Sequence, residues 1–131
     1  MLTNYVYLEV SSMSLTNNDR KMWIKRVTGL LILKVLKDRP AYGNQIADEI
    51  KRVTQDTIKA NPNFIYPLLR QMEEEGHVEG SWENPNTRGK RVYTITASGL
   101  VYFERLKEVV QAKFLEIERC QKAIRSFLFT E

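Results

Sequence analysis

From about Lys21 to Lys37, apolar residues return every three or four positions, with Trp23, Val27, Leu30, Leu31 and Val35 on one side of an expected helix. Asn18 or Asp19 is placed to cap its start, and Pro40 ends it because the residue before a proline avoids helical geometry. A second short helix is expected with Tyr42, Ile46, Ile50 and Val53 on one face, and the stretch TQDTIKAN separates it from a third. In NPNFIYPLLRQMEEEGH, Ile65, Leu68, Leu69 and Met72 form a stripe at i, i+3, i+4 and i+7. Pro67 would cost about 3 kcal/mol deep inside a helix but is tolerated in the first turn. This helix is therefore expected to begin near Asn63, itself a good cap, and to stop at Gly76. Asn63, Tyr66 and Arg70 share the face opposite the stripe.

The period then changes. HVEGSW and RVYTIT alternate as strands do, and the turn-rich stretch between them makes them a hairpin. That connection, ENPNTRGKRVY, sets Arg88, Lys90 and Arg91 around Gly89, three like charges that repel one another unless something negative is near. TASG opens a last helix running to about Leu128, with Phe103, Leu106, Val110, Ile117, Cys120, Ile124 and Phe127 in a 3–4 repeat broken only by Lys113. Some 30 residues of helix span roughly 45 Å, more than the preceding core can cover. A homodimer through Phe103, Leu106, Val110, Ile117 and Ile124 is the expected remedy. The fold expected is mostly α with a small β-hairpin. It divides into an arm at 1–20 whose structure the pattern does not specify, a winged helix-turn-helix at 21–96, and a dimerisation helix at 97–131.

Charge sharpens this picture mainly by its placement. The formal net charge is only +4, but positive residues collect in 21–60 and 81–95 with an acidic stretch between them. Such blocks suit a polyanion. Cys120 is the only cysteine and His77 the only histidine, so an intrachain disulfide and a zinc cluster are both excluded. His77 follows a helix stop and is read as structural, Cys120 as packing. Lys34 interrupts the strongest apolar run, GLLILKVL, well short of the roughly 20 residues a membrane helix needs. No basic start leads into a long apolar leader, and the cytoplasm is the expected location. Gly-x-Ser-x-Gly, His-Glu-x-x-His and phosphate-cradling glycine loops are all missing, so neither an enzyme nor a cofactor is expected.

Three segments, LLILKVLKDRPAYGNQIADEI, IYPLLRQMEEEGHVEG and RGKRVYTITASG, occur in the order found in the PadR family of bacterial transcriptional regulators, which the stretch from about Leu30 to Leu106 resembles. The chain has no room after the long helix for the additional C-terminal domain of larger members, and so looks like the shorter branch. The resemblance implies a homodimer that binds double-stranded DNA at an inverted repeat near a promoter, usually as a repressor. Some short members also bind flat aromatic effectors between subunits. Trp82, Tyr102 and Phe103 are the residues available for such a pocket, although nothing in the sequence indicates an effector.

In helix-turn-helix docking the N-terminal residues of the second motif helix reach base edges in the major groove. Here those are Asn63, Phe64, Tyr66 and Arg70, with Asn suited to adenine, Arg to guanine and the Tyr hydroxyl to a phosphate. Arg70 could instead pair with Glu73 or Glu74 on its own helix. Arg88, Lys90 and Arg91 would grip the backbone as the wing, each contact adding close to one unit to the salt slope of binding. The rival reading is a winged-helix module that binds protein and has lost sequence-specific DNA binding.

Overall fold

The computed structural model describes residues 17–84, 86 and 90–130. The first helix, α1, spans Asn17–Asp38. It begins earlier than the periodicity implied, so the last residues of the expected arm are helical, and Asn18 and Asp19 lie within its first turn rather than capping it. Trp23 of the expected stripe is buried, together with Thr28, Ile32, Leu33 and Leu36, whereas Val27, Leu30, Leu31 and Val35 are only partly covered. The cause is that α1 is enclosed from several sides, and a single-stripe reading selects only one. Thr28 is satisfied locally, its hydroxyl donating to the Ile24 carbonyl at 2.7 Å.

Two extended residues, β1 (Ala41–Tyr42), lead into α2 (Gly43–Thr54). Tyr42 therefore belongs to a strand and not to the apolar face of α2, and Val53 at the far end of that face is exposed. Gln55 and Asp56 turn the chain with positive φ values of 51° and 62°. The turn is not merely a connection, because Ile58 and Ala60 are buried in the core. Next comes α3 (Pro62–Glu74), with Ile65, Leu68, Leu69 and Met72 buried as their spacing implies. Gly76, at φ 82°, closes it in a Schellman arrangement: His77 N–H donates to Met72 O at 2.9 Å and Gly76 N–H to Glu73 O at 3.1 Å.

The hairpin strands are β2 (Val78–Trp82) and β3 (Arg91–Ile95). With β1 they make a three-stranded antiparallel sheet, ordered β1-β3-β2, in place of the two strands expected. A two-residue strand is too short to show any period. The sheet sets Gly80 opposite Tyr93 and Trp82 opposite Arg91. The last helix, α4, runs Ala97–Phe129. Its first turn is capped by Thr96, whose hydroxyl accepts from Gly99 N–H at 2.9 Å and donates to the Gly76 carbonyl at 2.6 Å.

One core joins α1, α2, α3, the sheet and Phe103 of α4. A smaller cluster holds Trp23 of α1 against Leu106 and Val110 of α4, extended by an edge-on contact of Trp23 with Phe114 at 5.8 Å between ring centroids. These two clusters correct the expected dimer seam. Phe103, Leu106, Val110 and Ile117 are all buried within the protomer, and α1, lying along α4, covers the first three of them. Ile124 alone of the five is exposed.

Gly29 lies mid-helix in α1, and a Cβ added there would meet nothing within 4 Å. Glycine inside a helix costs roughly 0.5–1 kcal/mol relative to alanine. Gly29→Ala should therefore raise the denaturation midpoint, checked by urea unfolding followed by circular dichroism. An unchanged or lower midpoint would mean that a partner surface needs the missing methyl.

Candidate nucleic-acid interface

The exposed end of α3 is built by a cap and a proline. Asn61 Oδ1 accepts from Phe64 N–H at 3.1 Å, and Pro62 follows at the first helical position, where its missing N–H is no loss. Asn61, not Asn63, is thus the cap, and Pro67 falls two residues deeper in the helix than expected. Relieved of capping, Asn63 is exposed near the helix start, and Tyr66 and Arg70 follow on the same side. Phe64 differs from its expected role: it is half-buried and packs against the main core. A residue one position before Ile65 shares enough of the buried side of the helix to be drawn inward.

Between this face and the hairpin lies a hollow of about 390 Å³, bordered by Tyr42, Asn44, Tyr66, Arg70, Lys90 and Arg91. Tyr66 leans over the first turn of α2, so close to Gly43 that a Cβ there would stand 2.6 Å from its ring. The tyrosine is still partly exposed, although the hydroxyl end of its ring is what lies over Gly43. Asn44 is exposed beside it at the start of α2. Tyr42 and Asn44 were not among the expected site residues. The Tyr42 N–H bonded to Gln45 Oε1 at 2.9 Å, the acceptor half of a capping box, is the signal that could have placed them at a helix start.

The two described wing cations play different parts. Lys90 is exposed, its Nζ 5.2 Å from the centre of the Tyr42 ring. Tyr42 in turn donates to Glu83 Oε1 at 2.7 Å, and that bond, with lesser help from desolvation, raises the phenol above its ordinary pKa. Arg91 is not free to grip a phosphate, as expected of it. Its Nη2 donates to Glu73 Oε2 and to the Gly80 carbonyl, both at 2.7 Å, and its Nη1 to Glu73 Oε1 at 3.2 Å. The Glu73 carboxylate holds this guanidinium still more firmly protonated, against a smaller opposing effect of burial. Burial likewise raises the Tyr93 phenol, with Arg91 opposing it. Glu73 thus pairs across to the sheet rather than with Arg70, which makes no ion pair among the described residues. Arg88 lies outside the described residues.

The aromatic residues expected to line an effector pocket are not gathered within the chain. Trp82 borders the hollow beside α3, Tyr102 stacks on His77 at 4.2 Å, and Phe103 is buried in the core. Each has a separate structural use.

The chain thus combines a helix-turn-helix that has an exposed polar face with a hairpin that carries the exposed Lys90. Residues 32–105, more than half of the chain, match the family described as "Transcriptional regulator PadR-like family". The chain belongs to the PadR-like family. A PadR-like transcription factor of Bacteroides fragilis superposes with a TM-score of 0.61 at 20% identity, over 82% of this chain and 99% of that one. A PadR-like transcriptional regulator of Bacillus cereus gives 0.55 at 22%, over 84% and 99%. At such identities the likeness is one of fold. An uncharacterised protein of Lysinibacillus sphaericus is 27% identical over 85 residues, 63% of this chain and 78% of that protein. This PadR-like chain is thus a transcriptional regulator of mostly helical, winged-helix architecture, in a family of regulators and not of enzymes. No helix among its described residues is long and apolar enough to cross a membrane.

Proposed function

We propose that the protein is a sequence-specific DNA-binding repressor that acts as a homodimer on an inverted repeat. The observation that carries the reading is one surface: Tyr66 and Arg70 of α3 face Lys90 across the hollow, and Asn63 stands exposed at the start of the same helix. The exposure of Asn63 and Arg70 supports a partner outside the protomer, and a polyanion would suit Arg70 and Lys90 together. The reading helix would enter the major groove with Asn63 and Arg70 at base edges, while Lys90, and Arg88 with it, would grip phosphates. Residues 21–96 would form the DNA-binding part and 97–131 the dimerisation helix. If the two reading helices sit one turn apart, half-sites should be centred about 10 bp apart. Such a regulator would act in the cytoplasm, beside the chromosome.

The homodimer rests on the free end of α4. Its inner stripe is buried through Ile117, then continues at a spacing of seven and four through Ile124 and Leu128, both exposed. A second copy covering this end would bury what the protomer leaves in water.

Selection of bound duplexes from a random pool, followed by fluorescence anisotropy across a salt series, tests the function. A recovered palindrome is expected. Arg70→Ala should then cost about 1–3 kcal/mol and relax preference at one base position, while Lys90→Ala should lower the salt slope by about one unit per protomer without altering preference. Weak binding with no preferred sequence, and the same slope in Lys90→Ala, would favour the protein-interaction reading.

A further inference from the structure

The acid at position 73 is out of place on a DNA-reading helix unless it does something that outweighs its repulsion of phosphate. Its geometry indicates what. Arg91 of β3 reaches across to α3 and takes both oxygens of Glu73 in a two-pronged grip, then turns one nitrogen to the Gly80 carbonyl of β2. One guanidinium therefore ties together the reading helix and both strands of the wing. The seat is shaped for it: a Cβ at Gly80 would stand 2.6 Å from Arg91 Nη2, so the bare glycine is what lets the guanidinium lie there. Trp82 and Tyr93 flank it, with centroids 5.5 and 5.6 Å from Cζ. Both charged side chains are about seven-tenths covered, which screens the pair from solvent more than a surface pair. Glu74, the next residue along, is exposed and has no such partner among the described residues.

We propose that Glu73 and Arg91 are positioning residues: their pair is a strut that fixes the wing at the angle to α3 at which both engage one duplex. The inference rests on the DNA-binding reading above and adds to it. A consequence runs against simple charge counting, since removing this negative charge from the reading helix weakens DNA binding instead of strengthening it. Arginine and not merely a positive charge is required, because only the planar fork spans both carboxylate oxygens and the carbonyl.

The test compares wild type with Glu73→Gln, Arg91→Lys and, as a control for charge alone, Glu74→Gln. Anisotropy on a selected duplex gives affinity and salt slope, and hydrogen–deuterium exchange without DNA gives the protection of the hairpin amides. Glu74→Gln should bind as well as wild type or slightly better. Glu73→Gln and Arg91→Lys should each lose roughly tenfold or more in affinity at physiological salt, with a slope lower by about one unit per wing lost. Their β2 and β3 amides should exchange faster while those of α1 stay protected, which a general loss of stability would not produce. Wild-type affinity and slope in either variant, or tighter binding in Glu73→Gln, would overturn the strut. Should wild type itself select no duplex, the DNA-binding reading fails, and the exchange experiment still decides separately whether the pair holds the wing.

Discussion

Gly99→Ala should lower the melting temperature by roughly 12 °C or more, the largest stability effect expected from any single methyl in the molecule. At the start of α4 a Cβ on residue 99 would overlap the His77 carbonyl oxygen and stand 2.8 Å from Ile95 Cγ1. The first of these is backbone at the start of β2, and it is not free to move: the same carbonyl accepts from Thr96 N–H at 3.1 Å. Overpacking of a tight site costs about 1–3 kcal/mol and at times more. With backbone on one side and the sheet on the other, the upper end applies, and about 3 kcal/mol corresponds to roughly 12 °C in a domain of this size. Differential scanning calorimetry of the variant beside wild type is the check. A shift of under about 3 °C would mean that α4 can back away from β2, and that the contact of helix with sheet is looser than described.

The second large effect concerns assembly. Ile124→Glu combined with Leu128→Glu should convert a dimer to a monomer and reduce affinity for a palindromic duplex by about 100-fold or more, while leaving the fold of the protomer intact. Both side chains are exposed in the single chain, so the protomer loses no core by their replacement. Loss of the second half-site contact is where the affinity goes, since linking two binding units strengthens binding by about 10²- to 10⁴-fold. Sedimentation velocity reads the mass and anisotropy the affinity. A doubly substituted protein that still sediments as a dimer would put the interface elsewhere, on a surface not marked by the stripe.

These two predictions draw on different kinds of information. The stripe of α4 was legible from spacing alone, but periodicity says only that a helix side is apolar, not which chain covers it. So spacing assigns Phe103, Leu106 and Val110 to a partner when α1 of the same chain already faces them, and Ile117 is likewise buried within the protomer. The core of α3 was read correctly because a single period governed it. Its start lies earlier than Pro67 implies, because Pro62 occupies the first helical position, where a proline is best tolerated. Arg91 shows a limit of another kind. Its loop looked uniformly basic, and its partner Glu73 lies 18 residues earlier. No local pattern links such a pair; only the folding of the hairpin against α3 does. Lys90 and the trio of Asn63, Tyr66 and Arg70 were legible as exposed polar groups in a setting where exposure has a purpose. Tyr42 is not legible because a strand of two residues has no rhythm to read, and Asn44 because the helix it opens is capped by Tyr42 rather than by Ser, Thr, Asp or Asn.

The knot at the foot of α4 has one more effect. Thr96 is bonded to Gly76 at the end of α3, His77 is stacked on Tyr102, and Gly99 lies against the His77 carbonyl. The reading helix and the 33-residue α4 therefore meet at an elbow with no slack. An α4 of that length is a lever arm of roughly 50 Å. In a dimer joined at the far ends of these arms, the angle at which they cross sets the stride between the two reading helices. Which operator spacing suits such a dimer would then be decided largely at Ile124 and Leu128, far from any base, and a change of tail would refit the same reading helices to a different stretch of DNA.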